Sequence, residues 1–418
     1  MLSALSIIAA WCPPASGYAV ITHEAIIDAA WKDNIQPLLL KRFPNSTPDD
    51  LLKAQAYAYG GAIIQDMGYY PLGSRFFSDL THYVRSGDFI LSLLNEAQNL
   101  NDYAFALGAL SHYAADTIGH REATNRAVPL VYPELKRKFG PVVTYEDNPI
   151  DHIKVEFSFD VVQVAQGSYA PQAYHSFVGF EVAQADLERA FASTYSLQMA
   201  DIFHDEEVAI GTYRFAIKSI LPAMTKTAWS IKGKEIQKAQ PSMTRRRFIH
   251  NISRSEYRKS WGTKYDRPKL GVRFLGFLIR ILPKVGPLKV LAFHAPPPQA
   301  ENMFMKSFND TLAEYRRLLS AYGRGELRIP NNNFDTGDPV KPGTYRMADQ
   351  AFAKLLDKVN HKPMSPELRA SMLEFFNHPE NVSGVKKKSQ RKKMLKQAEA
   401  LKQDEGHLPA GDDSRPKP

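Results

Sequence analysis

Cysteine is all but missing from this chain. Cys12 is the single one in 418 residues, so neither an intramolecular disulfide framework nor a cysteine-built zinc finger can form. Long apolar runs are missing as well. Residues 2–12 (LSALSIIAAWC) are too few to span a bilayer as a helix. Strand signals are sparse and no internal repeat is present, which excludes solenoids and β-rich architectures. Wholesale disorder is excluded by a hydrophobic fraction of 44% against 23% charged residues. The expected fold class is all-α.

The apolar run at the start is followed by Pro13 and Pro14, then by Ala15, Ser16 and Gly17. Small residues at this spacing make residues 1–17 an expected export signal, although the segment carries no Lys or Arg. Cleavage would leave Tyr18 first, remove Cys12, and place the protein in a secreted or periplasmic setting.

Charge is segregated along the chain. The net charge is +9, yet residues 226–289 hold 17 Lys and Arg against 3 acids, and residues 386–402 hold 8 against 1, so the remainder carries −12. The expected organisation is a signal at 1–17, a helical domain at 18–225, a basic amphipathic extension at 226–295, a helical region at 296–380 and a basic, disordered tail at 381–418. In the extension, Lys269, Arg273, Arg280 and Lys284 fall within ~60° of one another on a helix. Leu270, Phe274, Phe277, Leu278 and Ile281 occupy the remaining arc. Such a pattern suits peripheral contact with an anionic membrane surface, and equally a packed helix whose basic chains snorkel outward. Arg245–Arg247 and Lys386–Lys388 suit phosphate contacts or plain solvation. Nothing calls for an obligate protein partner.

The chemistry concentrates upstream. Five histidines, His23, His82, His112, His120 and His152, lie within the first 156 residues. The Ala/Leu-rich segment 101–120, preceded by Asn99 as a cap, reads as a helix. His112, Asp116 and His120 are spaced by four and share one of its faces. His152 and Glu156 repeat the same spacing. Asp66 closes a small-residue helix (AYGGAIIQD), and His82 lies in DLTHY. Imidazoles and carboxylates projecting from two helices suit a Zn²⁺ site inside a bundle; ordinary hydrogen bonding between such pairs is the alternative. Tyr69, Tyr70, Phe76 and Phe77, near this set, suit base stacking if exposed and core packing otherwise.

The ordered set His23, Asp66, His82, His112-x3-Asp116, His120, His152-x3-Glu156 resembles the bacterial zinc-dependent phospholipase C family. That family shares its fold and site with secreted single-strand-specific zinc nucleases. The resemblance covers about residues 18–225 and implies an all-α catalytic domain with up to three zinc ions. By it, Asp66, His82 and His112 hold one ion and Asp116 bridges to another. His120, His152 and Glu156 hold the second. His23 and the amine and carbonyl of Tyr18 hold the third. Asp66 is also implied as a general base. The family commonly begins with Trp where this chain has Tyr18, and has five residues between the bridging Asp and the next His where this chain has Thr117, Ile118 and Gly119. The aromatic that follows the first-site Asp is replaced by Met67. The implied activity is phosphodiester hydrolysis, with phospholipid as the expected substrate. Nucleic acid is the alternative substrate, and a non-catalytic protein with a relict metal site the alternative role.

Overall fold

The computed structural model describes residues 20–166, 180–214 and 296–403 apart from residue 361, together with Lys234 and His294. Tyr18 and the stripe of Lys269, Arg273, Arg280 and Lys284 lie outside these residues, as does the expected export signal. The described residues are helical, with one isolated antiparallel bridge, Asn332 to Pro339, and no strand.

The elements run in chain order as follows. Helix α1 (Val20–Ala30) passes through a π turn into α2 (Gln36–Arg42). Next come α3 (Pro48–Gly61), a 3-10 turn (Ile64–Tyr69), α4 (Arg75–Tyr83), α5 (Ser86–Glu96) and α6 (Leu100–Gly119). A second π turn (His120–Thr124) leads into α7 (Asn125–Val131), followed by α8 (Pro133–Phe139), α9 (Pro149–Gln166) and α10 (Gln184–Tyr195). The C-terminal part adds α11 (Pro298–Gly323), α12 (Arg346–Val359), α13 (Pro366–Phe375) and α14 (Lys388–Gln403).

Helix α6 is the axis. Asn99 caps it by accepting from the backbone N–H groups of Asn101 and Asp102, as its side-chain chemistry predicts. Nearly every residue from Asp102 to Gly119 is buried, the mark of a helix enclosed on all sides. Small residues allow that enclosure. A Cβ added at Gly61 would lie 1.9 Å from the Phe105 carbonyl oxygen, and one at Gly108 would lie 2.1 Å from that of Ala58. Helices α3 and α6 therefore meet backbone to backbone. On its other side α6 meets α11, where the Tyr315 hydroxyl donates to the Leu107 carbonyl at 2.9 Å.

Three expectations need correction. Asp66 does not end a continuous helix; α3 stops at Gly61 and Asp66 sits in the separate 3-10 turn. The segment 388–403, expected in a disordered tail, is helix α14. Its Met394, Ala398 and Leu401 form a stripe at helical spacing that is buried, and Arg369 donates to the Leu401 carbonyl. Charge count alone hid that stripe. Residues 296–380 do not stand apart from the upstream helices either, since one core cluster runs from Val20 through Phe105 and Leu318 to Leu401.

The close approach of α3 and α6 makes a prediction. Gly108→Ala is expected to lower stability by about 3 kcal/mol through overpacking against backbone that cannot yield, read as a lower denaturant midpoint in urea unfolding. An unchanged midpoint would mean that the two backbones separate freely.

Candidate metal centre

Each element delivers its side chain by local chemistry. Asp160 in α9 accepts from the Ile21 N–H at 2.8 Å and from the Thr22 hydroxyl, which pins the first turn of α1 and sets His23 inward. The Ser78 hydroxyl donates to the Gln65 carbonyl and accepts from the Gly68 N–H, so α4 holds the 3-10 turn that carries Asp66. Pro149 starts α9, with Asn148 accepting from the Asp151 N–H, and this fixes the phase that turns His152 and Glu156 to one face.

The side chains converge around Asp116 of α6. Its Oδ1 lies 3.5 Å from His23 Nε2. Its Oδ2 lies 3.1 Å from His112 Nε2, 3.6 Å from His82 Nε2 and 3.8 Å from His120 Nε2. His82 Nε2 is also 3.3 Å from Asp66 Oδ1. The rings of His23 and His112 stack at 4.6 Å. A neighbouring group forms where His152 Nδ1 meets Glu156 Oε1 at 2.7 Å, with His120 Nδ1 3.9 Å from the same oxygen. All eight of these residues are buried. Three sets bring ligand atoms close enough for one ion each: His23, His112 and Asp116; Asp66, His82 and His112; His120, His152 and Glu156. The shortened interval before His120 keeps it four residues past Asp116, so its ring stays on that face of α6 and reaches toward Glu156.

Tautomers follow from the partners. A carbonyl only accepts, so Nδ1–H of His112 donates to Ala62 and Nδ1–H of His82 donates to Ser78, each at 2.8 Å. Both Nε2 atoms are thereby the ones that face the carboxylates. His152 is held the opposite way round. Its Nε2 lies 2.8 Å from Asn125 Oδ1, and the Asn125 amide is oriented because its Nδ2 donates to the Asp335 carbonyl at 2.7 Å. His152 Nδ1 therefore faces Glu156 as an acceptor. Two acceptors 2.7 Å apart need a shared proton or a metal ion to hold them together. Neither ring nitrogen of His120 makes a hydrogen bond among the described residues, nor does His82 Nε2 or His112 Nε2.

The buried carboxylates raise the imidazoles of His82 and His112 and thus favour a proton, or another cation, between each ring and its carboxylate. Burial works against the Asp116 carboxylate, but His112, His82 and His120 outweigh it and hold the group well below the usual carboxylate range. Burial likewise works against a charged His82, and Asp116 and Asp66 override it, pushing the imidazole up to about 10. Burial, then the neighbouring His120, keep His152 well below the ordinary range and thus neutral. Burial raises the Asp66 carboxyl. Imidazoles and carboxylates brought together in a dry interior form the donor set of a borderline-soft divalent cation, which would displace the proton that the carboxylates hold on His82, and tetrahedral ligands at ~2.0–2.1 Å from zinc sit about 3.3 Å apart. The residues fit zinc.

Tyr69, Tyr70, Phe76 and Phe77 are buried, so they offer no exposed face for stacking bases. Tyr69 instead sets its ring edge-on to His82 at 5.8 Å. Met67 is fully buried in the core. Two residues that sequence spacing does not reveal also belong to the centre. Asn125 orients His152, and Asp335 places Oδ1 3.6 Å from His120 Nε2. Asn125 follows the π turn after His120, and Asp335 lies in an Asn/Asp-rich stretch (NNNFD) more than two hundred residues downstream. Neither position carries a periodic signal.

Residues 22–205 match the family described as Zinc dependent phospholipase C. No curated protein and no solved structure matches the chain.

Asp116 faces four of the five histidines, so Asp116→Asn is expected to lower zinc per chain by at least one equivalent in elemental analysis. Stripping the metal with a chelator is expected to lower the thermal midpoint, because an ion bound only by the folded state stabilises it. Equal zinc contents in Asp116→Asn and wild type would remove Asp116 from the centre.

Proposed function

With residues 22–205 as a zinc-dependent phospholipase C family domain, we propose that the protein is a zinc-dependent phosphodiester hydrolase acting on phospholipid in the manner of a phospholipase C. The observation that carries this reading is the convergence of five histidines with Asp66, Asp116 and Glu156 at one buried centre. Zinc held there supplies an acidified water and the positive charge that phosphodiester hydrolysis needs.

The chain's own groups do the remaining work. Asp66 is suited to orient the attacking water and take its proton: its carboxyl is raised by burial, and its Oδ1 lies 3.3 Å from His82 Nε2 at the centre. The carbonyls of Ala62 and Ser78 and the amide of Asn125 hold three imidazoles in their metal-facing tautomers. Tyr69, Tyr145 and Phe334 wall the histidines and keep bulk water away from the ligand atoms.

The reading includes export and removal of residues 1–17. His23 stands in the first turn of α1 with its Nε2 toward Asp116. The amine and carbonyl of Tyr18 would join His23 on one ion. In the basic extension, Lys269, Arg273, Arg280 and Lys284 would bring the enzyme to an anionic membrane surface. Among the described residues, no helix is long and apolar enough to cross a membrane.

The test is hydrolysis of phosphatidylcholine vesicles by protein beginning at Tyr18. Water-soluble phosphomonoester is expected as product, abolished by chelation and restored by zinc, and reduced ~10²–10⁴-fold by Asp66→Asn. Hydrolysis of single-stranded DNA with intact lipid would shift the assignment to the nuclease activity of this fold. Zinc binding with neither activity would leave a binding protein. A form that retains residues 1–17 is expected to hold one zinc fewer and lose most activity; equal rates would remove Tyr18 from the centre.

A further inference from the structure

Three of the five histidines of the centre share an arrangement that His120 lacks. His82, His112 and His152 each give the ring nitrogen that faces away from the ligand atoms to a fixed acceptor: Ser78, Ala62 and Asn125. His120 does not, since neither of its nitrogens is hydrogen-bonded among the described residues. Its Nδ1 points toward Glu156 Oε1 and thus toward the group it shares with His152. Its Nε2 points the other way, with Asp335 Oδ1 3.6 Å distant and Asp116 Oδ2 at 3.8 Å. Asp116 is already engaged with His23, His82 and His112. Asp335 is not so engaged.

Asp335 is itself held for this task. It is fully buried. Its Oδ2 accepts from the Tyr83 hydroxyl at 2.8 Å and from the Tyr345 hydroxyl. Oδ1 makes no hydrogen bond among the described residues and faces His120. The loop beneath is rigid. Asn333 accepts from the Asp335 N–H and from the Gly337 N–H, each at 2.8 Å. Gly337 adopts φ +74° with its Cα face against the Thr117 carbonyl, where a Cβ would stand 2.3 Å away, so the loop presses onto α6 one turn before His120. The Asp335 carbonyl also receives the Asn125 amide that orients His152. One residue from outside the 22–205 family match therefore addresses both histidines of one metal group.

We propose that Asp335 is the outer carboxylate of the His120–His152–Glu156 metal group. It takes the Nε2–H of His120, leaves Nδ1 as the ligand, and makes the C-terminal region part of the centre. Carboxylate–histidine–metal relays of this kind fix ring orientation and raise ligand basicity. The proposal rests on the zinc reading above. Asp335 is a positioning residue, because it acts through His120.

The experiment compares wild type, Asp335→Asn, and the double variant Tyr83→Phe with Tyr345→Phe. The asparagine keeps the shape and the backbone link to Asn125 but loses the charge; the double variant keeps the charge but frees its aim. Zinc per chain is measured after dialysis against graded chelator, and the visible absorption of cobalt-substituted protein is recorded. In Asp335→Asn one equivalent of zinc is expected to bind ~10–100-fold more weakly while the others stay. The cobalt band is expected to change shape, and the double variant to fall between. Full retention with an unchanged cobalt band would overturn the proposal. So would loss of all zinc together, which marks a general packing defect. If wild type itself holds no zinc, the zinc reading falls and this inference falls with it.

Discussion

A single carboxylate in a dry interior organises this molecule. Asp116 has no exposure to solvent and lies within 4 Å of imidazole nitrogens from His23, His82, His112 and His120. Burying an ion without compensation costs several kcal/mol. Those rings, and the cations they are suited to hold, provide the compensation. The four histidines come from α1, α4, α6 and the start of the π turn beyond it. The helices must therefore close on one point, and the packing follows from that demand. It explains why α6 is enclosed on all sides, and why α3 approaches it through Gly61 and Gly108 rather than through side chains.

Outside the ligands, main-chain and amide groups set the chemistry. The carbonyls of Ala62 and Ser78 and the side chain of Asn125 decide which nitrogen of each ring faces the carboxylates. Such partners tune affinity without touching the ion. Ala62 follows α3 and Ser78 lies in α4, so the same elements that build the core also set the tautomers. Stability and site chemistry share residues here, and a change at either is felt at both.

The C-terminal region belongs to the same body. Tyr315 of α11 bonds to the α6 backbone, Tyr113 of α6 donates to the Pro330 carbonyl, and the Phe334 N–H donates to the His82 carbonyl. The loop between α11 and α12 is thus fastened over the histidines at several points. Phe334 places its ring 5.0 Å from that of His82. An account of the centre drawn from the family-matched segment alone would omit this wall and the carboxylate beside it.

The sequence by itself determined what short-range periodicity can encode. The all-α class, the capped helix α6, and the placing of His112, Asp116 and His120 on one face follow from 3.6-residue spacing and from the chemistry of Asn99. The same holds for His152 and Glu156 in α9. Local rules failed where a long-range contact decides. Asp66 sits in a 3-10 turn because Ser78 ties that turn down, and α14 forms because its few apolar residues find a surface to bury against. The aromatics at 69, 70, 76 and 77 turn inward because helices elsewhere in the chain cover them. Only the tertiary structure could place Asn125 against His152, or carry Asp335 across more than two hundred residues to His120. Hydrogen bonds and buried charge act through space, and sequence spacing has no term for that distance.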